Sequence, residues 1–124
     1  MLIALLTILF LGSSSTGLLD YVAESRDNVK LVMVKDDRQE AALDTLKAMK
    51  KITKVRNKQV KRVSKQLKKA FAAADTSDDQ LEAIWNGHFV AVNQYDHEMV
   101  DLRFELKSQL TREEWAAVFS ESSP

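Results

Sequence analysis

The chain has 124 residues, with 18 Lys and Arg against 18 Asp and Glu, no Cys, three Gly and a single Pro that is its last residue. That is the size of one small domain, and the lack of cysteine excludes disulfides, thiolate zinc sites and cysteine nucleophiles. So little Gly and Pro leaves no punctuation for the turns of a sandwich or barrel, and an all-α fold is expected; 45% hydrophobic and 29% charged residues argue against wholesale disorder.

Leu2 to Leu11 form an apolar run broken only by Thr7, followed by the small residues Gly12, Ser13, Ser14, Ser15, Thr16 and Gly17. This has the shape of a secretory apolar region leading into a cleavage zone. Continued to Val22, the same stretch carries one charge, Asp20, and is long enough to reach across a bilayer of about 30 Å. Residues 1–17 therefore read as a signal peptide or an N-terminal membrane anchor. Either places the domain of residues 18–120 outside the cytoplasm, where the absence of cysteine fits a periplasm, free or anchored to the inner membrane, with a frayed tail at 121–124; the third reading is a buried apolar segment of a soluble protein. Behind Ser25 and Asp27, an apolar patch of Val29, Leu31, Val32, Met33 and Val34 is too short for periodicity to separate helix from strand; with no second strand pattern to pair with, a short helix is favoured.

From Asp36 to about Ala74 there is no Gly or Pro, and strong helix formers dominate. A long helix is expected, capped by Asp36 or Asp37 with Gln39 or Glu40 completing a capping box. Ala42, Leu46, Met49, Val60, Val63, Leu67 and Ala70 share one face, interrupted midway by Thr53 and Arg56. A polar turn over residues 75–79 follows, with Ser77 and Gln80 as a second capping box. The next helix, to about Gln109, carries a heptad seam of Leu81, Trp85, His88, Val92, Tyr95, Met99, Leu102 and Leu106. Two long helices joined by a short turn predict an antiparallel hairpin with short flanking helices. Phe89, Val100 and Phe104 lie off the seam as a second apolar strip, more than a lone hairpin buries, so a homodimer or docking by the terminal helices is expected. Thr111 and Glu114 make a third capping box and open a short helix through Trp115, Val118 and Phe119.

The order of these parts, with Leu110, Thr111 and Glu114 in the stretch LTREEW and the turn AAADTSDDQLEA, resembles the Spy-like periplasmic chaperone and heavy-metal-resistance family marked by a repeated LTxxQ motif. Glu114 stands where that motif has Gln, and Val34 to Gln39 keep little of its first copy. The resemblance implies a helical hairpin that dimerises into a shallow cradle and shields unfolded clients without ATP, or binds divalent metal in some relatives.

Charge is strongly segregated. Eleven bases and no acid lie between Lys47 and Lys69, whereas residues 70–124 hold eleven acids and three bases, a net of −8, and residues 1–46 have a net of −3. Lys50, Lys54, Arg56, Lys58, Lys61, Arg62 and Lys65 are the candidate partner-binding residues, attracting acidic clients, an envelope protein or an anionic inner-membrane surface at long range. The alternative is structural: the basic arm pairs with the acidic one and sets orientation, at about 0–1 kcal/mol for each exposed pair. The basic run holds no aromatic residue for stacking, which disfavours nucleic acid. His97 and Asp101, with Glu105, form a stripe able to hold a divalent metal weakly, and His88 is a further candidate ligand; otherwise His97 belongs to a solvated stripe and His88 to the core. No phosphate loop, nucleophile elbow or cysteine supports catalysis, so no enzyme activity and no obligatory cofactor are expected. An exported holdase or stress adaptor leads, ahead of a metal sensor or scavenger and a membrane-tethered structural coiled coil.

Overall fold

The computed structural model describes residues 2–119, with side chains from residue 17 onward. Of the expected signal peptide or anchor over residues 1–17, the backbone is described from residue 2 and is helical, whereas the frayed tail expected at 121–124 lies outside the described residues. The described chain is all-helical: α1 (Leu2–Val32), α2 (Asp37–Ala72), α3 (Asp78–Gln109) and α4 (Arg112–Phe119). Among the described residues no helix is long and apolar enough to cross a membrane.

The short helix expected behind Ser25 is the C-terminal part of α1. Ser25 does not start a new helix, because its hydroxyl donates to the Tyr21 carbonyl one turn earlier, at 2.8 Å. Val22, Ser25, Val29 and Met33, spaced by three and four, form the buried face. Leu31 and Val34, counted in the apolar patch from sequence, point away and are 84% and 72% exposed.

Asp36 caps α2, accepting from the backbone N–H groups of Arg38 and Gln39 at 3.0 and 3.1 Å. The reciprocal half of the expected capping box is missing. Instead Gln39, buried, donates its amide to the Met33 carbonyl at 3.0 Å and ties the end of α1 to the start of α2. At the far end, Ala73 takes an extended conformation and its N–H bonds the Lys69 carbonyl, closing α2 slightly ahead of the expected end. The Ser77 and Gln80 capping box forms in full, at 3.2 and 2.9 Å.

Two apolar clusters hold the molecule. The larger draws on all four helices, with Val22, Val29, Met33, Leu46, Met49, Leu106, Leu110 and Val118 buried in it. The smaller, near the turn between α2 and α3, consists of Val60, Leu67 and Leu81 with Val63, Ile84 and Trp85 packed against them. Thr45 meets Gln109 at 3.0 Å beside the larger cluster, and Thr53 meets Tyr95 at 2.9 Å between the two, so α2 and α3 face each other there as well. Seam residues predicted from both helices therefore meet, with Leu81, His88, Tyr95 and Leu106 buried on α3.

α4 is tied down at both ends. Thr111 and Glu114 make the expected reciprocal cap, at 2.8 and 3.1 Å. Arg38, at the start of α2, forms a two-pronged ion pair with Glu114 and also donates to the Gln109 carbonyl at 3.3 Å. At the other end, the Asn28 amide of α1 donates to the Val118 carbonyl at 3.0 Å. One arginine thus joins the first turn of α2, the last turn of α3 and the first turn of α4.

Candidate functional site

None of the eleven bases between Lys47 and Lys69 on α2 forms an ion pair with an acid among the described residues; the twelfth base of α2, Arg38 in its first turn, pairs with Glu114. Of the predicted partner-binding residues, Lys54, Lys58, Lys61, Arg62 and Lys65 are exposed and Lys50 is half-buried. Helix geometry explains the lack of internal pairing. The seam positions that bring α2 and α3 together are apolar or neutral, so lysines spaced between them project outward, away from the facing helix. Val55, 51% exposed, lies among the bases, and Phe71, 55% exposed, follows the last of them. Beside Val55 an open cleft of about 350 Å³ between α2 and α3, lined by Lys51, Ile52, Gln59 and Glu98 among others, adds apolar surface with charges of both signs at its edge.

Arg56 departs from this face. It is half-buried, its guanidinium carbon sits 5.0 Å from the Tyr95 ring centroid, and its Nε has no hydrogen-bond partner among the described residues. It belongs to a polar layer between the two apolar clusters. Within that layer the Thr53 hydroxyl donates to the Met49 carbonyl at 2.8 Å, so its one proton is committed and Tyr95 Oη is the donor in the 2.9 Å contact to Thr53. The interruption read at Thr53 and Arg56 is therefore filled from α3 by the tyrosine.

His88 is buried next to Trp85, with ring centroids 5.7 Å apart, and its Nε2 has no partner among the described residues. Burial, and then the charge of Arg56, hold His88 below the ordinary histidine range, so it is a neutral core residue. His97 and Asp101 lie on the exposed side of α3. The predicted metal set of His88, His97 and Asp101 is not brought together: nine residues along a helix turn the two histidines to opposite sides. Among the described residues no group of three His, Cys, Asp or Glu side chains is placed to hold a metal ion.

The motif residues Leu110, Thr111 and Glu114 do structural work. Leu110 is buried in the larger cluster, Thr111 caps α4, and Glu114 closes the cap while holding Arg38. The Arg38 hydrogen bond first, and the Thr111 N–H second, hold the Glu114 carboxyl down at about 2. Sequence reasoning missed Arg38 and Asn28 because their partners stand 76 and 90 residues away, beyond any periodicity. Tyr95 opposite Thr53 was legible only as two seam positions. No family model matches the chain, nor does any curated protein or solved structure.

Proposed function

We propose that the chain is an exported helical binding protein in which α2 and α3 act as an antiparallel hairpin, and that the exposed basic face of α2 captures acidic or unfolded protein segments, as a Spy-like ATP-independent holdase or envelope-stress adaptor would. The observation that carries this reading is the unpaired basic face: the bases between Lys47 and Lys69 form no ion pair with the acidic helix among the described residues, with exposed Val55 among them and exposed Phe71 just beyond them. Unneutralised charges on one face attract acidic partners over about a Debye length, and apolar neighbours then supply short-range contact. Export is supported by the apolar leader-like run of Leu2 to Leu11. A homodimer is supported by the strip of Phe89, Val100 and Phe104, which the terminal helices leave 45%, 51% and 60% exposed.

An aggregation assay on an acidic client tests the proposal at low salt and at about 0.3 M salt, where the Debye length is roughly halved from its value near 0.1 M. Suppression at low salt that weakens at high salt is expected. No suppression at equimolar protein at either salt rejects it.

A further inference from the structure

Where the four helices meet, an open cavity of about 430 Å³ remains in the surface of the larger cluster. This lies within the range of about 300–1,000 Å³ common for small-molecule sites. Val22 and Leu46, nearly fully buried, form its floor; Leu18, Met99, Trp115 and Phe119 are among its walls. The aromatic wall is continuous, with Phe119 4.5 Å from Trp115 and 6.2 Å from Tyr21 between ring centroids.

Its polar content is small and of one sign. Besides Tyr21 with its hydroxyl and Trp115 with its indole N–H, the lining holds Ser25, whose hydroxyl proton is already given to the Tyr21 carbonyl, and Arg103, with no aspartate or glutamate. Arg103 is exposed, lies 5.4 Å over the Trp115 ring, and has no ion pair among the described residues. The site is thus an apolar recess with one cation beside it. Its lining includes Met49 from within the basic stretch of α2 and Val100 from the exposed strip of α3, but none of the bases of that stretch.

We propose that this recess binds a single-chain amphiphile with an anionic head, a medium-chain fatty carboxylate, with its alkyl chain in the recess and its carboxylate on the Arg103 guanidinium. Burial of an apolar chain supplies the binding free energy, and each further methylene that fits tightens binding about fourfold until the recess is full. The guanidinium fork offers paired donors of the geometry a carboxylate accepts, and it supplies the head-group preference. Zwitterionic and neutral heads of the same chain length forgo that pairing.

The experiment uses the full chain carrying Trp85→Phe, which leaves Trp115 as the fluorescent reporter, titrated below micelle formation with dodecanoate and, separately, with dodecanol. Calorimetry on the same pair gives a readout independent of the indole. Expected are saturable binding of dodecanoate at one site, weaker binding of dodecanol, and a loss of about tenfold or more for dodecanoate alone in Arg103→Glu. Arg103→Lys should recover part of the loss. Absence of saturable dodecanoate binding overturns the proposal, and so does equal affinity for the acid and the alcohol in the Arg103-containing protein, a comparison that needs no variant of Arg103.

Discussion

At the scale of single residues, the polar layer across the middle of α2 and α3 carries the sharpest consequences. Tyr95 donates to a Thr53 hydroxyl whose proton is already committed, so Tyr95→Phe removes a buried donor and leaves Thr53 short of one bond. Its expected cost is about 1 kcal/mol, measured by urea denaturation, with Thr53→Val and the double variant closing a cycle in which the two losses are less than additive. His88 predicts a pH dependence of opposite origin. Its folded-state affinity for protons is lowered by burial and by Arg56, so the unfolded chain binds more protons near neutrality. Its contribution to stability is fully present above the unfolded histidine value of about 6.5 and is lost as pH falls below it. Denaturation midpoints should therefore drop between about pH 7 and pH 5, and His88→Gln should flatten that part of the profile.

Individual helices show how the sequence signals were used. The helices α2 and α3 start at acceptor side chains, Asp36 and Ser77, and the short α4 at Thr111, all as expected from capping chemistry. The seam periodicity likewise picks out Leu46 and Leu106, each 1% exposed, and Leu106→Ala should cost about 2–5 kcal/mol by denaturation because the cavity it leaves touches all four helices. Gly87 sits within α3 with open space where a Cβ would stand, so Gly87→Ala should raise stability by about 0.5–1 kcal/mol in the same assay. For α4, the Glu114 carboxyl is held at about 2 by Arg38 and Thr111. Its ionised form favours the folded state above the ordinary glutamate range, and this contribution is lost as pH falls through about 2. Glu114→Gln keeps a capping oxygen but loses the pair with Arg38, so amide hydrogen exchange in residues 112–119 should accelerate in that variant while α3 stays protected.

On the scale of the whole molecule, the balance of 18 bases and 18 acids conceals a field. Because the bases between Lys47 and Lys69 form no ion pair among the described residues, reversing three of them, Lys58, Lys61 and Lys65, to Glu should abolish salt-dependent client binding while circular dichroism is unchanged, since these side chains are exposed. The proposed dimer is separable from this: Phe104→Glu on the exposed strip should lower the sedimentation mass without altering helicity. The helices from Asp36 onward, their N-cap residues, the two seams and the charge blocks were readable in the chain, because each depends on residues within a few positions of one another; the 31-residue length of α1, expected as a short helix, was not. What tertiary structure alone decided is where those faces point and what joins them. It sent Arg56 inward over Tyr95 while its neighbours stayed in solvent, brought Arg38 to Glu114, let Gln39 bond Met33 instead of closing a box, and opened an apolar recess beside Arg103. These contacts link residues brought together by packing, where side-chain direction and helix register choose the partner, and local sequence encodes neither.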